Sequence, residues 1–199
     1  LEKDALDANM FSCANKISVG KPTRLLSAGY GLLPRMTANR QLIHRHHLAP
    51  DEANRRINFA YTPYHNALLA ALNQAHNIHG ACLLIDVHSM PPHDNTNRPL
   101  AAIVLGDLHH TSLDRIFRHT LEKIITDSGL SLSWNTPYAG GHITKHYGRT
   151  NSSRQAVQIE INRRLYMRAG LQLDPVGSMR VQNVLNDIGI ALSQTLRNN

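Results

Sequence analysis

Two hydrophobic periods alternate along this chain. Between residues 50 and 75, Ala53, Ile57, Ala60, Tyr61, Tyr64, Leu68, Leu72 and Ala75 recur every three or four positions, which predicts a helix. Pro50 suits a first helical position, and Asp51 and Glu52 complement the positive end of the dipole. Pro63 predicts a kink or a division into two helices. After Gly80 the continuous apolar run ACLLIDV predicts a strand buried on both faces, ending at Asp86-Val87-His88-Ser89. A second strand is expected over AAIVLGD at 101–107. Ser112 is the expected cap of a following helix, in which Leu113, Ile116, Phe117, Leu121, Ile124 and Ile125 form one stripe and Gly129 marks the end. A short strand near Leu130–Trp134 leads to a glycine-rich loop and then to the alternating run Ala156-Val157-Gln158-Ile159-Glu160-Ile161. A last helix opens at Asp174-Pro175, with Val181, Val184, Leu185, Ile188, Ala191 and Leu192 on one side. Residues 1–47 read as irregular, punctuated by Gly29, Gly31 and Pro34.

Strands alternating with helices predict an α/β fold with a mixed, largely parallel sheet. At 199 residues and 42% hydrophobic content the chain can bury a normal core, and a single domain over 1–199 is expected. There is no internal repeat or low-complexity linker. No apolar run approaches the roughly eighteen residues of a membrane-crossing helix, so no membrane association is expected. The opening LEKDALDANMF lacks the charged-then-apolar order of a signal peptide. Cys13 and Cys82 form neither a disulfide framework nor a metal-type pair, which fits a reducing cytoplasm. The first residue is Leu1 rather than a methionine, as in a fragment or a processed product.

A net charge of +7 and a pI near 9.8 raise the question of nucleic acid. The positive residues are scattered (Lys21, Arg24, Arg40, Arg45, Arg55, Arg56, Arg168), aromatics make up 5% of the chain, and the two do not interleave. A solvated basic surface suited to a small anionic substrate is the better reading, with no nucleic-acid partner. Histidine is abundant at 13 residues, including the groups His44/His46/His47, His76/His79 and His109/His110. His142 and His146 are spaced to share a helical face, but Gly140, Gly141 and Gly148 argue against a helix there. No local spacing amounts to a complete zinc motif.

The chemistry gathers at two strand ends. Ligands of open α/β sheets collect beyond the carboxyl ends of strands, where His88 is expected to lie with Asp86 two residues before it on the same side. A neutral imidazole can ligate zinc while a carboxylate orients it through the other ring nitrogen. The plainer alternative is a histidine hydrogen-bonded to backbone. Glu160 stands in an apolar alternation, where a carboxylate needs a cation, a metal-bound water or a raised pKa; an ion pair with Arg163 or Arg164 is the alternative.

The segments LLIDVHSMPP (84–92) and PYAGGHITKHYGR…AVQIEINRRLYM (137–167) resemble the N-formylglutamate amidohydrolase (N-formylglutamate deformylase) family. AGYGLLPRM, YTPYHNALLAAL and IVLGD add weaker support, so the resemblance runs from about residue 6 to residue 190. It implies a three-layer sandwich like that of zinc carboxypeptidases and aspartoacylases. It also implies zinc-assisted hydrolysis of an amide on a small acidic N-acyl amino acid, N-formyl-L-glutamate, to formate and glutamate in histidine degradation. By the same resemblance His88 is a zinc ligand and Glu160 the general base that activates water and then protonates the leaving amine. Asp86 supports His88, and Arg35, His65, Thr144, His146 and Tyr147 are pocket residues, with Arg35 pairing a substrate carboxylate.

The chain also departs from the family pattern. It has no counterpart of the first metal-binding His, of the acidic ligand that follows it, or of the Asp-x-Asn-Arg segment. His142 stands where an aromatic is usual, and LHHTSL follows VLGD in place of Gly-Thr-Ser-Cys. The resemblance therefore covers the C-terminal two-thirds or so of the enzyme, with the N-terminal strands missing. An unpaired sheet edge left by them would be a route to homo-oligomers. Two function classes follow: the zinc amidohydrolase, and a metal-free homologue that keeps the scaffold as a binding or interaction protein.

Overall fold

The computed structural model describes residues 32–37, 40–46 and 48–198. Gly29, Gly31, Cys13, Lys21, Arg24 and His47 lie outside the described residues. The chain divides into two compact units, one ending at Ala70 and one running Ala71–Asn199, with the boundary inside a helix.

In the first unit a bridge pairs Met36 with Leu42, closed by the Thr37–Gln41 turn. Helix α1 (Pro50–Arg56) starts as expected, with proline in its first turn beside Asp51 and Glu52. Arg55 and Arg56 both bond the Glu52 carboxylate, at 2.8 and 2.7 Å, and hold its pKa down at about 2. Pro63 does interrupt the helix, one turn early. Residues Ile57–Tyr61 form a π turn in which Thr62 N–H reaches back five residues to the Ile57 carbonyl, and α2 (Thr62–His79) follows. Proline has no N–H to give and its ring would crowd the Phe59 carbonyl, so widening the preceding turn accommodates it.

The second unit contains a four-stranded mixed sheet, ordered β1 (Cys82–Met90), β4 (Arg154–Asn162), β2 (Ile103–Gly106) and β3 (Leu132–Trp134). β1 and β4 are parallel, as are β2 and β3, while β2 and β4 run antiparallel. α3 (Arg115–Asp127) and α5 (Pro175–Arg197) pack on one face, through Phe117, Leu121, Ile125, Val184, Ile188 and Leu192 against Ile103, Leu105, Val157, Ile159 and Ile161. α5 opens at Pro175 behind Asp174, as the sequence predicts.

Three local expectations are corrected. β1 does not stop before His88 but continues to Met90; it ends the sheet among the described residues, and Val87, His88 and Ser89 are exposed rather than buried. An apolar run reports strand propensity, not place in the sheet order. Ser112 does not cap α3. Asp114 occupies that position, and the buried Ser112 hydroxyl donates to the Ala156 carbonyl at 2.9 Å, tying the loop to β4. His142–Tyr147 is helical (α4), because Gly141 and Gly148 stand at its two ends as extended cap residues and do not interrupt it. The His142 and His146 rings consequently share a face and stack 5.3 Å apart.

Candidate active site

The site forms where β1 and β4 lie side by side. Their parallel register sets Asp86 opposite Gln158 and His88 opposite Glu160, and alternation puts all four side chains on the sheet face away from α3 and α5. Antiparallel β2 completes this patch, with Gly106 opposite Gln158 and Val104 opposite Glu160.

Glu160 is 6% exposed, and so is Gln158 beside it. Gln158 Nε2 donates to Glu160 Oε1 at 2.7 Å. The alternative partners do not engage this carboxylate. Among the described residues Glu160 forms no ion pair with Arg163 or Arg164, and Arg163 Nε instead points to Ser89 Oγ at 3.4 Å. Asn162, fully buried, fixes the end of β4: its side-chain amide donates to the Leu100 and Ala101 carbonyls and its oxygen accepts from Arg164 N. His88 is 47% exposed at its side chain, and its Nε2 lies 3.0 Å from Asp86 Oδ2. The predicted carboxylate–imidazole pair therefore exists, and it leaves Nδ1 as the ring nitrogen open to another partner.

The glycine-rich loop is clamped over this patch. Leu108 N–H donates to the Ala139 carbonyl at 2.7 Å. A Cβ at Gly106 would stand 2.5 Å from Gly140 N, so only glycine lets loop and strand touch here. Gly141 comes close enough to Gln158 that a Cβ there would sit 3.1 Å from its Oε1. Buried Asp107 braces the turn below, accepting from His110 N at 3.0 Å and Asn135 Nδ2 at 2.8 Å. Its second oxygen faces His110 Nδ1, which also meets Arg118 Nη1. Tyr138, on the same loop, has its phenol pKa pushed above the usual value by partial burial and then by the Glu160 charge, with Arg163 opposing.

Of the other predicted residues, Thr144 is fully buried in α4, and its Oγ1 has no hydrogen-bond partner among the described residues. His146 is exposed and meets the Tyr147 ring edge-on at 4.7 Å. Both residues ride on α4, which packs against β1 and β4. Arg35 and His65 belong to the first unit. Arg35 is exposed, its carbonyl accepting from Ile43 N, and His65 packs between the Tyr61 and Tyr64 rings. Sequence reasoning missed Gln158, Asn162, Tyr138 and Asp107 as site residues. A signal for the first two was present: from Val157 to the end of β4 the odd positions are apolar and the even ones, Gln158, Glu160 and Asn162, are polar.

No group of three or more His, Cys, Asp or Glu side chains able to hold a metal ion occurs among the described residues. The zinc implied by the family resemblance thus finds a single donor, His88, and these residues do not fit a closed metal site.

Comparison with known proteins shows which family the chain resembles. The family profile of N-formylglutamate amidohydrolase matches residues 3–167. The N-formylglutamate deformylase of Pseudomonas putida is 30% identical over 69% of this chain and 53% of its own length. That of Pseudomonas aeruginosa is 32% identical over 77% of this chain and 59% of its own. The crystal structure of N-formylglutamate amidohydrolase from Ralstonia eutropha superposes with a TM-score of 0.80 at 29% identity, covering 91% of this chain and 68% of that one. A gene product of Agrobacterium tumefaciens shares the fold at a TM-score of 0.61 and 17% identity. The chain therefore spans little more than half the length of the curated relatives it matches. With its site motifs inside the matched segment, this chain belongs to the N-formylglutamate amidohydrolase family.

Proposed function

We propose that the protein hydrolyses the formamide bond of N-formyl-L-glutamate or a close N-acyl acidic amino acid, releasing formate and glutamate, with Glu160 as the general base. The observation that carries this is a single carboxylate, 6% exposed, held by an amide and set in register beside an imidazole on the opposing strand. A buried carboxylate held by one amide, with no ion pair among the described residues, is placed to exchange a proton with water. Glu160 would take a proton from water as the water oxygen bonds to the formyl carbon and the carbonyl electron pair moves to its oxygen. It would return the proton to nitrogen as the carbon–nitrogen bond breaks. His88, oriented by Asp86, faces the same reacting centre. The excess of basic residues would favour an anionic substrate.

Steady-state release of formate by the full-length protein tests the reading. N-formylglutamate is expected to be preferred over N-formylglutamine by kcat/KM; equal values would mean that no side-chain carboxylate is read, and no turnover of either would sink the proposal.

Zinc dependence belongs to the same proposal, with His88 as one ligand and the others outside the described residues. A catalytic zinc needs about three protein ligands, so the 199-residue chain alone is expected to retain little zinc and little turnover. Stoichiometric metal that survives dialysis and is lost in His88→Ala would overturn that expectation.

A further inference from the structure

Two buried polar atoms, Gln158 Oε1 on β4 and Thr144 Oγ1 on the helix packed against it, have no hydrogen-bond partner among the described residues. Gln158 is the more telling. Its amide could be turned either way, but a carboxylate only accepts, so the nitrogen must face Glu160 and the oxygen must be the atom left over. An unpaired buried acceptor is destabilising. A leucine or methionine would fill the same space without that cost. The residue is also hemmed in, by Asp86 in register on β1, by Gly106 in register on β2, and by Gly141 across the loop. Its side chain can swing no further than its one hydrogen bond allows.

We propose that Gln158 is the positioning residue of Glu160, and that its bond to Oε1 assigns Oε2 as the oxygen that exchanges the proton with water. Oε2 makes no hydrogen bond among the described residues. The syn and anti lone pairs of a carboxylate are not equivalent in reach, so pinning one oxygen fixes the direction from which water is deprotonated. The cost of the orphan acceptor is what this orientation requires. The proposal rests on Glu160 being the base.

The test is a double-mutant cycle in the full-length protein, using Gln158→Met, Glu160→Gln and both together, with formate release from N-formylglutamate as the readout. Gln158→Met is expected to lower kcat about ten- to a hundredfold with KM within about twofold, a melting temperature no lower than that of the parent protein, and a larger solvent isotope effect on kcat. In the Glu160→Gln background the same change is expected to cost nothing further, because there is no base left to position. A Gln158→Met loss that persists undiminished in that background, or an unchanged isotope effect, would mean that the amide serves packing alone and would overturn the proposal. Normal turnover by Gln158→Met would also overturn it while leaving the functional reading intact. Normal turnover by Glu160→Gln would remove both.

Discussion

β4 has two faces, and both are buried, yet they are built on opposite rules. On one face Val157, Ile159 and Ile161 interlock with α3 and α5, where every contact is apolar and any atom removed leaves a void. On the other, Gln158, Glu160 and Asn162 are equally hidden from solvent but are held by directed hydrogen bonds, with polar atoms left unpaired. Burial stabilises the first face, while on the second it confines the polar groups to which we assign the chemistry. Residues one position apart along the same backbone should therefore fail in different ways when changed.

The largest expected effect separates the two faces directly. Glu160→Gln should keep the fold and the melting temperature while lowering kcat by about two to four orders of magnitude, as loss of a general base does. Its neighbour Ile159→Ala should do the reverse. Removing a fully buried side chain from the core is expected to cost about 2–5 kcal/mol of stability, read as a lower denaturant midpoint, while folded protein keeps most of its turnover. If Glu160→Gln unfolds the protein, or Ile159→Ala abolishes turnover at unchanged stability, the division of labour is wrong.

A third, smaller change tests how the loop is held over the polar face. Gly106→Ala puts a methyl 2.5 Å from Gly140 N and 2.6 Å from the Ala139 carbonyl carbon, both backbone atoms that cannot rotate away. The expected cost is about 1–3 kcal/mol, with the loop bearing Tyr138 displaced and amide exchange accelerated at Leu108. Unchanged stability and exchange would show that the loop is not clamped there.

The smallest effect is a titration. Burial, and then the Glu160 charge, raise the Tyr138 pKa above its ordinary value near 10. The folded state thus holds this proton more tightly than the unfolded chain. Its contribution to stability is complete below about pH 10 and falls as pH rises from there through the folded pKa. In an alkaline absorbance titration, Tyr138→Phe should delete a late-titrating component, and in Glu160→Gln that component should move earlier. A component that stays put in Glu160→Gln would place the phenol out of electrostatic reach of the base.

The features legible in the sequence were those fixed within one or two turns of chain. Pro50 and Pro175 at helix starts, the α3 stripe, and Glu160 in its alternation all depend on near neighbours. The misreadings share another cause. Polar residues in a strand are ordinarily taken as solvent-facing, and the burial of Gln158 and Glu160 follows from the loop, Ala139 to Gly141, that lies over β2 and β4. Ser112 looked like a cap because it precedes an apolar stripe, but its hydroxyl is claimed by Ala156, far along the chain. The glycines around His142–Tyr147 read locally as breakers, yet their places at the helix ends make them caps. The sheet order, which puts β1 at the end and β4 inside, comes from long-range pairing that no local pattern encodes.

The parallel ladder between β1 and β4 also governs when this site can come into being. Asp86 and His88 leave the ribosome first, then all of β2, α3, β3 and α4, and only afterwards do Gln158 and Glu160 arrive to stand beside them. Closing so long a loop is an entropic cost met late in folding, after the local helices have formed. Until then β1 is an extended apolar segment awaiting its neighbour, the kind of species on which chaperones act. The candidate site is thus brought together late, and a nascent chain stalled anywhere before β4 carries half of it with nothing to complete it.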